Sequence, residues 1–167
     1  MDSRSICEAL DDLQPNPPLH MRDQSDLIDR TMQALGAAFE QLRPMALPRV
    51  PTTLLNKTSA EYFFHTRHEM FGMSLPDLAV TDAAQHATRN AKPHLENLKR
   101  LMLESKKDDG PFVLGSEVSF ADFVLAGAWS FLKDLDRLGD LFGYVMKAHP
   151  EFEDHWKACQ PWMERND

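Results

Sequence analysis

Apolar positions recur three and four residues apart along most of the chain, the spacing of one helix face. Leu27, Ile28, Met32, Leu35, Phe39 and Leu42 form one such stripe, with Ser25 or Asp26 placed to cap its start and Pro44 marking its end or a kink. A shorter pattern, Ile6, Ala9, Leu10 and Leu13, precedes it and stops before Pro15, Pro17 and Pro18. That proline cluster, through about Asp23, reads as a linker. A second helix is expected from Ala60 to Phe71, capped by Thr58 or Ser59 and stopped by Gly72. It is rich in aromatics: Tyr62, Phe63, Phe64 and Phe71. After a turn near Ser74, the stripe Ala83, Ala84, Ala87, Ala91, Leu95, Leu98 and Met102 predicts one long helix, about Val80 to Lys107, kinked at Pro93. The stretch Phe120 to Leu135 is apolar nearly all round, which places it in the middle of a bundle. Two more helices, about Arg137 to Ala148 and Glu151 to Cys159, are split at Pro150. No stretch reads as a strand, so the expectation is an all-α bundle of six to eight helices.

Composition agrees with this pattern. Leu, Ala and Met number 46, against 8 for Val and Ile together. A chain of 167 residues is one domain, or one large domain with a short appendage, long enough to fold around a core without disulfides. The net charge of −8 argues against nucleic acid as a partner. No apolar run approaches the roughly 18 residues of a membrane span. Asp2, Arg4 and Glu8 interrupt any signal-like start. Cys7 and Cys159 lie at opposite ends without metal-ligand spacing, which reads as two reduced thiols of a cytoplasmic protein.

The most specific motif runs Pro111-Phe112-Val113-Leu114-Gly115-Ser116-Glu117-Val118-Ser119-Phe120-Ala121-Asp122. Ser119 is an N-cap answered three residues later by Asp122, a capping box with Val118 and Phe123 as its hydrophobic staple. A buried helix needs such a device because water cannot reach its first amides. The same stretch resembles the signature of the C-terminal helical domain of glutathione transferases. Asp2-Ser3, followed by Ile6 and Leu10, resembles the acidic-residue-plus-serine motif that closes the thioredoxin-like domain of that family. The run from Tyr62 to Gly72 is similar to fungal glutathione transferases of secondary-metabolite gene clusters.

The resemblance implies that residues 1–22 are the last helix of a thioredoxin-like domain plus linker, and that 23–167 are the helical domain. It implies a glutathione-dependent transferase acting on a hydrophobic electrophile. A glutathione-assisted cis-trans isomerase of a conjugated olefin shares the same first step, thiolate addition. A non-catalytic helical binding module is the alternative of another class. The family's sheet, its cis-proline and its thiol-activating residue precede the position of Asp2. No catalytic residue can therefore be assigned here, and Met1 reads either as internal to a longer enzyme or as the start of a reduced one. The family also implies a homodimer.

Glutathione carries two carboxylates and one ammonium. Ser3, with the helix-start amides, suits the γ-glutamyl carboxylate, and Asp2 the ammonium. Arg67 suits the second carboxylate or a substrate anion, although a surface salt bridge with a nearby Glu is the more ordinary role for it. Phe39, Tyr62 and Phe63 are candidates to line a pocket for the apolar substrate; aromatics at helical spacing are also ordinary core. His65, His68 and Glu69 have metal-compatible spacing, as do His86, Asn90 and His94 along one side of the long helix. A solvated polar face explains both sets, and no metal is expected. Cys7 reads as an inert thiol on an apolar face.

Overall fold

The computed structural model describes residues 3–164, and of Ser3 the backbone alone. Among these residues the elements are α1 (Ser3–Leu13), α2 (Ser25–Ala46), α3 (Val50–Thr53), α4 (Lys57–Phe71), α5 (Leu75–Ala79), α6 (Asp82–Gln85), α7 (Ala87–Glu104), α8 (Phe120–Leu135), α9 (Phe142–Ala148) and α10 (Pro150–Cys159). Short 3₁₀ turns follow α2 and α10. Seven of the ten helices run seven residues or more. The fold is all-α: among the described residues there is no strand, only an isolated bridge between Phe112 and Gly115.

The core lies where α2, α7 and α8 meet, closed from below by α9 and α10. Leu35, Ala38 and Leu42 of α2 meet Ala91, Leu95 and Leu98 of α7, and Leu125, Trp129 and Leu132 of α8 fill the middle. Small side chains on facing helices let their axes approach. On α8 only Gly127, Lys133 and Asp134 are exposed, as its all-round apolar sequence requires. Trp129 stacks at a tilt on Phe152 of α10, with ring centroids 5.2 Å apart. No helix among the described residues is long and apolar enough to cross a membrane.

Several boundaries differ from the sequence expectation, each for a local reason. The long helix expected from Val80 begins at Ala87 instead. Ser74 and Thr81 turn their hydroxyls onto the amides of Asp77 and Ala84, which starts two short helices, α5 and α6, in its place. Asn56, not Thr58 or Ser59, caps α4: its side-chain oxygen accepts from the Ser59 amide at 2.9 Å. Ser25 opens α2 without capping it; its hydroxyl accepts from the Arg4 guanidinium at 2.8 Å. Pro44 stays inside α2, which runs on to Ala46. Residues 136–141 form a loop, not a helix, because Asp136 draws the amides of Asp140 (3.0 Å) and Gly143 (2.7 Å) onto its carboxylate. Burial opposes ionisation of Asp136, yet these backbone bonds hold its carboxyl below the usual range. Gly72 ends α4 in the left-handed conformation, φ 66°, as expected.

Candidate functional site

The loop into α8 builds the most ordered polar cluster. Gly115 sits at φ +100°, a region that favours glycine, and a Cβ on Gly110 would lie 2.2 Å from the Gly115 carbonyl carbon. This tight turn brings the Val113 amide onto Asp122 Oδ1 at 2.8 Å. The capping box is formed. Its stronger arm is the carboxylate: Asp122 Oδ2 accepts from the Ser119 amide and from the Ser119 hydroxyl, each at 2.7 Å. His155 of α10, fully buried, places Nε2 3.1 Å from Asp122 Oδ1. Cys159 Sγ lies 3.7 Å from the same imidazole nitrogen.

Cysteine, histidine and aspartate are the residue types of a nucleophile, a base and its orienting acid, but Cys159 and Asp122 both approach Nε2 of His155, where such an array takes opposite nitrogens. The chemistry is blocked by burial. Cys159 is 1% exposed, and its thiol is pushed up to about 12 by desolvation and then by the Asp122 charge. A thiol held protonated and away from solvent is no nucleophile. The cluster is a clip that joins three segments: the loop at Val113, the start of α8 and α10.

The predicted site residues divide differently. Asp2 lies outside the described residues, as does the Ser3 side chain. Arg4, the next residue along, pairs with Asp29 and donates to Ser25, so that α1 is fastened to the start of α2. Asp11, further along α1, accepts from the amides of Leu19 (2.8 Å) and Met21 (3.3 Å) and so holds the proline linker. On its free side α1 exposes Ile6, Leu10 and Leu13, the last at 80%.

Phe39 does line a cavity. It is about 230 Å³, walled by Gly36, Phe39, Glu40 and Arg43 of α2, by Leu47, and by Phe131 of α8. Phe39 and Phe131 face each other with centroids 6.5 Å apart. Tyr62 does not join them; it is 71% exposed on the outer side of α4. Phe63 is half-buried and packs on the edge of the core. Arg67 stacks over Phe63, 4.4 Å from its centroid, and bonds Thr66 Oγ1 at 3.2 Å. Among the described residues it makes no ion pair. Arg43 and Phe131 were missed from sequence. Arg43 follows Phe39 by one helical turn and was legible in principle; Phe131, 92 positions away, was not.

His65 pairs with Glu69 at 3.5 Å, and His86 Nδ1 meets the Asp82 carbonyl oxygen at 2.9 Å. Among the described residues no group of three or more ligand-type side chains is arranged to hold a metal.

The profile of the family described as "Glutathione S-transferase, C-terminal domain" matches residues 31–164. The chain belongs to the glutathione S-transferase family. That domain contains both the Asp122 clip and the Phe39 cavity. A glutathione S-transferase-like protein of Aspergillus flavus, ustS, is 29% identical over 178 aligned residues. The match covers 98% of this chain and 61% of that relative, so the chain spans about three-fifths of its length. No solved structure gives a significant match.

Proposed function

We propose that this chain carries the helical half of a glutathione-dependent transferase acting on a hydrophobic electrophile, in fungal secondary metabolism. Family membership over residues 31–164 is the observation that carries the reading. The apolar cavity beside Phe39 supports it as the substrate subsite. Residues 1–22 are then the last helix and linker of a thioredoxin-like domain. The exposed Ile6, Leu10 and Leu13 support this, since an apolar stripe on a helix normally meets a covering surface. In this reading Asp2 and Ser3 face the γ-glutamyl end of glutathione, and the thiolate adds to an activated carbon of the substrate. The protein acts in the cytoplasm, as a homodimer.

The test has two steps. Glutathione binding to the chain is measured by titration calorimetry, with Ser3→Ala as control. Thiol loss is then followed with glutathione and a conjugated enone, with and without the protein. Heat at millimolar glutathione that Ser3→Ala removes, with enone-dependent thiol loss above background, supports the proposal. No heat and no acceleration would leave a helical binding module in its place.

A further inference from the structure

The two rings that face each other at the Phe39 cavity stand on helices that run the same way. The Phe120 amide at the start of α8 bonds the Leu19 carbonyl, ahead of α2, at 2.9 Å. Arg49, just past α2, donates to the Leu135 carbonyl at the end of α8 at 3.4 Å. One turn before each ring lies a glycine: Gly36 precedes Phe39 by three residues, and Gly127 precedes Phe131 by four. These intervals keep each glycine on the face of its ring, about 4.5 to 6 Å nearer the helix start. Gly36 is part of the cavity wall, and Gly127 takes the matching place on α8.

Both glycines sit near the midpoint of a helix, where only proline is a poorer choice. Alanine would stabilise the helix there unless its methyl collided. It would not, since a Cβ at either position meets nothing within 4 Å. Both are exposed, and neither has a positive φ that would require glycine. Packing and backbone geometry therefore give no reason for the missing side chains. Their effect is to leave bare the groove between α2 and α8 on the helix-start side of the two rings. Met32, four residues before Gly36, is half-exposed beyond it. Glu40 and Arg43, the charged residues of the wall, pair with each other at 2.5 Å and so offer a ligand no free charge.

We propose that Gly36 and Gly127 determine which ligands the cavity accepts. They extend it into a groove for an elongated apolar molecule, one end against Phe39 and Phe131 and the rest over the two bare turns. The inference rests on the reading of this cavity as the substrate subsite and adds the length of the ligand to it. A ligand of two fused rings stays beside Phe39 and Phe131; a longer one must cross the glycines.

The experiment titrates the full chain with two uncharged fluorescent probes, 1-naphthol and the longer N-phenyl-1-naphthylamine. Gly36→Leu and Gly127→Leu should each weaken the longer probe about tenfold and leave 1-naphthol within about twofold. Gly36→Ala and Gly127→Ala should weaken the longer probe less, and both should raise the urea midpoint. Phe39→Ala, which removes one wall, should weaken both probes. Leucine variants that bind both probes as the unaltered chain does, or that weaken both equally, would overturn the role of the glycines. The subsite would then still stand on the effect of Phe39→Ala. A lowered urea midpoint in the alanine variants would overturn that role too, because the glycines would then serve packing. No binding of either probe, or binding that Phe39→Ala does not weaken, would overturn the subsite and the inference together.

Discussion

Helices α4 and α8 are of nearly equal length and both rich in aromatics, yet they sit at opposite extremes of the molecule. α8 buries seven of its 16 residues and starts on a carboxylate that draws on three segments of the chain. α4 buries none of its 15; it hangs between the Asn56 cap and Gly72 and exposes Tyr62, Phe64 and Met70. Local stability follows buried contacts and protected hydrogen bonds, so α8 opens only with the whole fold and α4 opens cheaply. The difference separates roles. α8 fixes the frame, and α4 is carried on the outside of it, where its Phe71 ring lies under Arg43 of α2.

The largest effect that would break this contrast is at Asp122. Asp122→Ala leaves the Val113 amide, the Ser119 amide and hydroxyl, and His155 without their shared acceptor. Urea titration should show a loss of about 3 to 5 kcal/mol. From the capping box alone about 1 to 2 kcal/mol would follow; a loss that small would mean the links to Val113 and His155 contribute nothing. Ser119→Ala, which removes one hydroxyl and keeps the carboxylate's other bonds, should cost about 1 to 2 kcal/mol in the same titration. On the other side of the comparison, Asn56→Ala removes the cap of α4. It should lower global stability by about 0.5 kcal/mol or less while reducing far-ultraviolet helicity, because α4 can fray without unfolding the core. A global loss as large as that of Ser119→Ala would show that α4 is part of the cooperative unit.

The smallest effect is a dependence on pH on the frame side. His149 lies at the entrance to α10, and desolvation, then Lys99, lowers its pKa from the usual 6.5, with Lys92 adding to this and Glu96 and Glu151 opposing it. Its folded-state pKa is below its unfolded value, so the unfolded chain binds more protons in the interval between them. Stability is therefore full above about pH 6.5 and falls as pH drops through that interval. His149→Gln should flatten the fall between pH 7.5 and 5.5 in urea midpoints. An unchanged slope would assign it to other groups.

What the sequence made legible was what is local. The Ser119–Asp122 box, the apolar circumference of α8 and the Gly72 stop are all written within one or two turns. The helix starts that were misjudged involve side chains that compete for nearby amides: Thr81 broke an apparently continuous stripe, and Asp136 unwound the start of a helix. Nothing in a single sequence signals that His155 meets Asp122 across 33 residues, or that Phe131 faces Phe39. Arg67 was a candidate by residue type alone; its stacking on Phe63, and that of Arg43 on Phe71, are seen only in the fold.

Hydrogen exchange tests the division between the frame and its outer helix most directly. Amides of α8 should exchange only through global unfolding, while amides of 57–71 should exchange faster, through local opening. Equal protection of α4 and α8 would contradict that division.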